Sequence, residues 1–141
     1  MDHVVYLDAK ANELGNLLNG KKTMIIRGAM GRKLPYERVN ERDVLYFINN
    51  NAEGLIKANG IVASVFNSEK MSKEDSISLL KKHQDELQLT KEQFQRWSGK
   101  RYIILINVKK VKEVNPFPFC KSNYGKMDDW LLVKKIESIM K

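Results

Sequence analysis

The segment that most constrains the fold of this chain is residues 20–28, Gly-Lys-Lys-Thr-Met-Ile-Ile-Arg-Gly. Leucines at helical spacing precede it, and Gly20 is a typical residue at the end of a helix. The residues that follow, 23–27, predict a buried strand with two lysines before it and Arg27 at its end. A turn from helix to strand with cations at both ends of the strand predicts a small domain with a basic rim.

The residues after this strand predict a basic loop, because residues 28–40 combine glycine, proline and charge. The loop contributes three cations and one aromatic ring, which are Arg32, Lys33, Arg38 and Tyr36. Sites for single-stranded nucleic acid typically combine cations that contact its phosphate backbone with an aromatic ring that stacks on its bases. The alternative is that Tyr36 only anchors the loop to the core.

The excess positive charge lies in two separate segments. The net charge is +8, with six cations against one acid in residues 21–38 and ten against four in residues 100–141. If the fold brings these segments together, they form one basic face that attracts phosphates, and Arg101 extends its rim. The alternative is two separate solvated surfaces.

The composition excludes several classes of protein. Cys120 is the single cysteine, so a disulfide within the chain is excluded, and two histidines make a zinc site unexpected. No apolar run reaches the roughly 20 residues that span a bilayer, and the first residues do not resemble a secretory signal. A cytoplasmic protein without cofactor, metal or membrane partner is expected.

Residues 15–23 come close to the sequence of a phosphate-binding P-loop. Lys22 stands where that motif needs a serine or threonine for magnesium. The predicted order is also helix then strand, the reverse of a P-loop. Hydrolysis of a nucleoside triphosphate is therefore not predicted.

The remaining pattern predicts strands and helices without a regular strand–helix–strand alternation. Capping boxes at Ser72 and Thr90 predict two helices, and Pro116 and Pro118 are expected to end the longest strand. The predicted strands are 3–7, 23–27, 43–48, 55–66 and 101–111, and the predicted helices start at Asp8 or span 72–87, 90–97 and 133–140.

The order of these elements predicts a small mixed α+β barrel flanked by helices rather than a doubly wound sheet. One domain is expected over residues 1–141, with a helical insertion at about 70–98 and a C-terminal extension at about 116–141. Residues 119–130 of that extension predict a loop. Its aromatic residues Tyr124 and Trp130 either stack on bases or pack onto the barrel.

The predicted helix leads into the sequences Gly-Lys-Lys-Thr and Ile-Ile-Arg, and Val-Asn-x-x-Asp-Val-Leu-Tyr-Phe follows at residues 39–47. In this order, these motifs resemble the ASCH group of PUA-like domains. The resemblance covers roughly residues 3–112. It implies a small β-barrel with a cleft beside the Lys-Thr strand. It also implies RNA or a modified nucleoside as the ligand.

One bacterial branch of that group is an amidohydrolase of acylated cytidine that uses a lysine, a threonine and a glutamate. The resemblance matches Lys22 to the lysine and gives Glu86 as the counterpart of the glutamate. Ile25 stands where that branch has threonine. Thr23 keeps a hydroxyl group, but strand alternation points it away from the side of Lys22.

These observations predict a binding module for RNA or a nucleotide-containing ligand, expected to be monomeric. One alternative is an amidohydrolase of a modified nucleoside centred on Lys22, assisted by Glu86 or Asp128. A second is a protein-interaction module that presents the helices of residues 72–98. The predicted ligand-binding residues are Lys21, Lys22, Thr23, Arg27, Arg32, Lys33, Tyr36, Arg38, Arg101, Tyr124 and Trp130.

Overall fold

The computed structural model describes residues 1–119 and 129–140. Within these residues the chain forms six strands and four short helices, followed by a 3-10 turn at Ile136–Ser138. The strands are β1 (Asp2–Leu7), β2 (Met24–Ala29), β3 (Val44–Asn49), β4 (Leu55–Asn67), β5 (Tyr102–Pro118) and β6 (Trp130–Lys134). The helices are α1 (Glu13–Leu18), α2 (Lys73–Lys82), α3 (Gln84–Leu87) and α4 (Lys91–Trp97).

All six of these strands join one sheet in the order β2-β5-β4-β3-β1-β6. Strands β1 and β3 are parallel, whereas the other neighbouring pairs are antiparallel. The sheet curls into a half-barrel with the helices around it. The predicted fold class, a small mixed α+β barrel, is confirmed.

Strand β2 is buried on both of its faces. Ile25 belongs to the core cluster that contains Phe47. Met24 and Ile26 belong to a second cluster with Leu80 of α2. Because successive side chains of a strand point to opposite faces, one continuous apolar run serves two layers. Each fully buried side chain of this size contributes about 1.5–3 kcal/mol to stability.

The helices α2, α3 and α4 lie between β4 and β5 in the chain. Ser72 begins α2 with its side chain accepting the Asp75 N–H at 3.1 Å, and Thr90 begins α4 with a complete capping box. Gly99 follows α4 with a φ of +88°, a backbone conformation that favours glycine. The predicted helix starts are confirmed, whereas the single predicted helix over 72–87 is divided into α2 and α3.

The predicted role of Asp8 as the cap of α1 is wrong. The helix begins at Glu13, and Asn12 precedes it without a side-chain capping bond. The Asp8 carboxylate instead accepts the N–H of Ala11 at 3.2 Å. It therefore stabilises the turn that precedes α1.

The prediction that Pro116 and Pro118 end the longest strand is wrong, because β5 extends to Pro118. Strand β2 pairs with residues 102–107 of β5, and the described pairing beyond that point is with β4. A proline lacks the backbone N–H but is compatible with a strand that has one unpaired edge. The long partner strand β4 therefore carries β5 through both prolines.

The predicted C-terminal helix over 133–140 is wrong for its first part. Trp130–Lys134 forms β6, which pairs antiparallel with β1, and only Ile136–Ser138 is helical. Leu131 and Val133 are buried with Val4 in a third apolar cluster. Pairing and burial outweigh the weak local helix signal, because propensity is only a small energetic preference.

Candidate functional site

A cleft of about 120 Å³ lies beside the strand that was predicted to carry the site. Helix α4 contributes one wall of it, which includes Trp97. The rest is formed by β1 and the residues that follow β1 and β3, by the first residue of α1, by the middle of β2, and by the residue that precedes β6. This central cleft is defined by its polar lining residues Tyr6, Asp8, Glu13, Arg27, Asn50, Gln93, Arg96 and Asp129.

The central cleft carries charges of both signs. An Asp8 carboxylate oxygen lies 3.8 Å from an Arg96 guanidinium nitrogen and accepts the Gln93 side-chain amide at 3.5 Å. Glu13 accepts the backbone N–H of Asp8 at 2.8 Å, and Asp129 lines the cleft as a third carboxylate. Such amides and carboxylates are the groups that hydrogen-bond to base edges.

Arg27 is 7% exposed, and it links β2, at one end of the sheet, to the strands at the other end. Its Nη1 donates to the Ile26 carbonyl at 2.8 Å and its Nη2 to the Tyr6 carbonyl at 2.6 Å. Its Nε lies 3.1 Å from Asp129, and its guanidinium lies 5.6 Å from the centre of the Trp130 ring. These contacts join β2 to β1 and β6, so Arg27 forms a structural ion pair and also lines the cleft.

Lys22 is a buried residue, with 1% of its surface exposed. Its Nζ donates to the carbonyl of Leu87 and lies 3.5 Å from the Glu13 carboxylate. Burial lowers the pKa of the Lys22 amine, and the Glu13 charge opposes that effect. Lys22 does not line the central cleft and reaches it only through Glu13.

Glu86, the predicted counterpart of a catalytic glutamate, lies on α3 beside His83, with 3.1 Å between Oε1 and Nδ1. The carboxylate partner of Lys22 is Glu13 rather than Glu86. The backbone carbonyl of Glu86 accepts the Thr23 N–H at 3.0 Å. Thr23 is exposed where its neighbour Lys22 is buried, as strand alternation predicts, and Lys21 is exposed as well.

The basic loop, taken as residues 29–38, is irregular from residue 30 onward, as predicted, whereas residues 28 and 29 still belong to β2. Two contacts attach it to the end of β4. The Tyr36 hydroxyl donates to the carbonyl of Ser68, and the Glu37 backbone N–H donates to the side chain of Asn67 at 2.8 Å. Tyr36 therefore does anchor the loop, which was one of its two predicted roles.

The cations of the basic loop lie at the surface. Arg32, Lys33 and Arg38 are all exposed. The Arg32 guanidinium lies 5.6 Å from the centre of the Tyr102 ring and 6.0 Å from that of Tyr36. The two tyrosine rings pack edge to face with 5.5 Å between their centres. The loop thus presents fixed positive charge over an aromatic pair.

The pairing of β2 with β5 brings the two basic segments together in part. Ala29 lies opposite Tyr102 in this pairing, so the exposed Arg101 adjoins the start of the basic loop. A side chain at Gly28 would meet the Cβ of Lys100 at 3.2 Å, which places that lysine here as well. The exposed lysines farther along β5, Lys109, Lys110 and Lys112, lie beyond the pairing with β2.

Trp130 is placed in the core and not at a ligand surface. It is 1% exposed, and its indole N–H donates to His3 at 3.0 Å. The core alternative therefore holds for Trp130, and base stacking on it is excluded in this conformation. Tyr124 and Asp128, the other residues proposed from this segment, lie outside the described residues.

The residues of the α4 wall were not found from the sequence. Trp97 packs against the core and also lines the central cleft, as do Gln93 and Arg96. The capping box at Thr90 indicated that α4 exists, but not which surface it covers. No local signal predicts that this helix lies against the turn after β1.

Residues 1–119 and 129–140 contain no group of His, Cys, Asp and Glu that could hold a metal ion. In the same residues, no helix is long and apolar enough to cross a membrane.

The arrangement of strands and helices is similar to that of solved ASCH structures. The crystal structure of ASCH from Zymomonas mobilis matches with a TM-score of 0.71 and 12% sequence identity, covering 97% of this chain and 90% of that one. Structures of two point mutants of the same protein match with the same score and identity, covering 93% and 91% of those chains. The chain therefore has the ASCH fold of the PUA-like barrels, and the predicted resemblance is confirmed at the level of the fold.

No protein-family model matches the sequence, and no curated protein matches it. The identity of 12% is consistent with a divergent example of this fold.

Proposed function

We propose that this chain binds single-stranded RNA, or a ligand that contains a nucleotide, through the basic loop and the central cleft. The observation that carries the proposal is the state of the basic loop. Tyr36 and Glu37 fix it to the end of β4, while Arg32, Lys33 and Arg38 stay exposed. A fixed array of exposed cations attracts phosphates without the cost of ordering a mobile loop.

The central cleft supports a nucleotide as the ligand. Its lining offers amide and carboxylate groups for a base edge and an indole ring at Trp97. Arg27 borders the cleft on one side and the hollow beneath the basic loop on the other. A nucleotide with its base in the cleft would therefore place its phosphate toward the loop cations.

The fold and the sequence resemblance support the same class of ligand. ASCH domains of the PUA-like group are the family whose motifs this chain resembles, and the resemblance implies RNA or a modified nucleoside. The likeness to solved ASCH structures supports that comparison at the level of the backbone.

The hydrolase alternative has weaker geometric support. The Lys22 amine is buried, bonded to Leu87 and paired with Glu13, so a ligand in the central cleft meets Glu13 and not Lys22. Among the helices that the interaction-module alternative would present to a partner, α4 contributes Gln93, Arg96 and Trp97 to the central cleft. Binding without turnover is the function that the geometry favours.

The proposal is tested by mapping amide NMR shifts of the labelled protein during addition of a short single-stranded RNA. We expect the shifts to concentrate in residues 29–38 and at Gln93 and Arg96 of the central cleft. Residues 109–112, which are basic but lie beyond the pairing with β2, serve as the internal control. Shifts confined to residues 109–112, or no shifts at all, would contradict the proposal.

A further inference from the structure

Phe66 of β4 is the aromatic residue that the structure leaves most open to solvent. It is 48% exposed, and no other Phe, Tyr or Trp in residues 1–119 and 129–140 falls in the exposed class. A single exposed apolar residue is common in soluble proteins and needs no explanation by itself. The surroundings of Phe66 are what make it informative.

Phe66 forms part of a groove of about 320 Å³ between the sheet and α2. The pairing of β4 with β5 places Phe66 beside Leu105 and Ser64 beside Asn107 on one face. Leu79 of α2 forms the facing wall. This volume is at the lower end of the range of small-ligand pockets, about 300–1,000 Å³.

The Phe66 groove combines this apolar floor with groups that can hydrogen-bond. The Asn107 side-chain amide donates one hydrogen bond to the Ser64 hydroxyl at 2.8 Å, which fixes its orientation. An amide also has a second N–H and a carbonyl oxygen, the pair of groups that asparagine uses on base edges. The groove therefore offers a ring surface and a polar edge next to each other.

A cation lies on one side of the Phe66 groove, and the attachment point of the basic loop lies on the other. Lys82, at the end of α2, lines it and is exposed, and no Asp or Glu lines it within the described residues. On the other side, the two residues that follow Phe66 are Asn67 and Ser68, to which the basic loop is attached. A chain of phosphates leaving the basic loop would meet the groove next.

His83 is the other charged or titratable residue of the Phe66 groove. Its Nδ1 lies 3.1 Å from the Glu86 carboxylate, which holds the ring at the edge of the groove. Glu86 does not line the groove, and its carboxylate is engaged with His83. The net charge facing the groove remains positive through Lys82.

We propose that the Phe66 groove is a base-stacking site for single-stranded RNA, with Lys82 contacting the phosphate next to the stacked base. This inference rests on the proposed function and assigns a stacking residue to it. An exposed aromatic ring beside a cation is an arrangement that sequence-tolerant RNA-binding surfaces use. Trp130 is buried and Tyr36 anchors the basic loop, so Phe66 adds an exposed ring to the indole that Trp97 contributes to the central cleft.

The test is the affinity of Phe66→Ala for a labelled single-stranded oligouridine, measured by fluorescence anisotropy. We expect a loss of about 5- to 150-fold, the range found when one stacking ring is removed, whereas Phe66→Tyr keeps the affinity. Met140→Ala is the matched control, because Met140 is 47% exposed and its bridge to Phe119 places it away from the groove. Thermal unfolding verifies that each variant is folded.

The phosphate contact is tested separately with two neighbouring lysines. Lys82→Ala is expected to reduce the slope of log affinity against log salt by about 0.7. Lys81→Ala removes the same charge from the same helix, but Lys81 lines a different hollow with Leu89 and Phe94, so its slope should stay unchanged. Equal slopes for the two variants would overturn this contact.

The outcomes separate the two proposals. If the wild-type chain binds RNA and Phe66→Ala binds it equally well, the stacking site is wrong and the proposed function stands. If the wild-type chain binds no RNA, both proposals are wrong. Binding of oligouridine that depends on Phe66 but not on Arg32, Lys33 or Arg38 would contradict the proposed function and leave the groove as an independent site.

Discussion

The protonation state of His3 is fixed by the two hydrogen bonds that its ring makes. The Trp130 indole can only donate, so its bond of 3.0 Å means that His3 Nδ1 carries no proton. The proton must then lie on Nε2, which is 2.8 Å from the Asp43 carboxylate. A second proton on this ring would break the bond to Trp130 and so loosen β6 from β1.

This geometry predicts a dependence of stability on pH. Burial lowers the pKa of His3 below its usual 6.5, and the N-terminal amine lowers it further. Asp43 and Asp2 raise this pKa but do not outweigh the burial. The unfolded chain therefore binds more protons, so the free energy of unfolding should fall as the pH drops from about 6.5 to the folded pKa. The slope of this fall has an upper limit of about 1.4 kcal/mol per pH unit, the value for a difference of one bound proton. Urea unfolding at a series of pH values measures it.

The control for the pH prediction uses the other histidine of the chain. His83 is partly exposed between α2 and α3, so His83→Gln should keep the same pH dependence. His3→Gln should remove it, whatever its effect on stability at neutral pH. A pH dependence that survives in His3→Gln would show that another group is responsible.

For individual residues, the sequence predicted that Lys22 and Thr23 point to opposite sides, but it did not predict what the Lys22 amine contacts. Strand alternation correctly separated the buried Lys22 from the exposed Thr23. The resemblance gave Glu86 as the acidic partner, whereas the amine contacts the carbonyl of the next residue, Leu87, and the carboxylate of Glu13. A contact between residues 65 positions apart depends on how the helices pack, which no local pattern contains.

Helix α4 is the element that links local capping to the central cleft. Thr90 accepts the Gln93 backbone N–H at 3.2 Å, and its own N–H donates to the Gln93 side chain at 3.0 Å. The same Gln93 donates to Asp8 across the cleft at 3.5 Å. The cap therefore holds one wall of the proposed binding site.

Removing this cap should destabilise the protein by a moderate amount. We expect Thr90→Ala to lower the free energy of unfolding by about 0.5–2 kcal/mol, because the Gln93 backbone N–H at the helix start loses its side-chain acceptor. Thr90→Ser keeps the hydroxyl and should stay close to the wild type. Urea unfolding of both variants checks this, and equal losses would show that the methyl group and not the hydroxyl matters.

At the element scale, the order of strands and helices was predictable and two ends were not. The capping boxes and apolar periods are local signals, so α2, α4 and β1 to β5 were found. The extension of β5 to Pro118 and the strand β6 depend on the partners β4 and β1. Pairing with a distant strand decides such segments, and it outweighs the local preference of prolines and leucines.

At the scale of the whole molecule, the sheet order explains why only part of the basic charge forms one surface. Pairing of β2 with β5 unites the basic loop with Lys100 and Arg101. Lys109, Lys110 and Lys112 follow Arg101 by 8, 9 and 11 residues, which corresponds to roughly 26–36 Å along β5 at about 3.3 Å per residue. The sequence likewise did not predict that Arg27 contacts Tyr6 and Asp129, because these contacts join segments from opposite ends of the sheet.

If RNA phosphates bind the basic loop, the affinity of the protein for RNA must depend less on salt once the loop cations are removed. The measurement compares the wild type with two triple variants that each lose three positive charges. One is Arg32→Ala with Lys33→Ala and Arg38→Ala, and the other, as a control, is Lys109→Ala with Lys110→Ala and Lys112→Ala.

We expect the loop variant to lose about 2 from the slope of log affinity against log salt, since each phosphate contact with a single strand contributes about 0.7. The control variant should keep the wild-type slope. Equal losses in the two variants would mean that RNA responds only to net charge. A loop variant with the wild-type slope would show that RNA phosphates do not bind the basic loop.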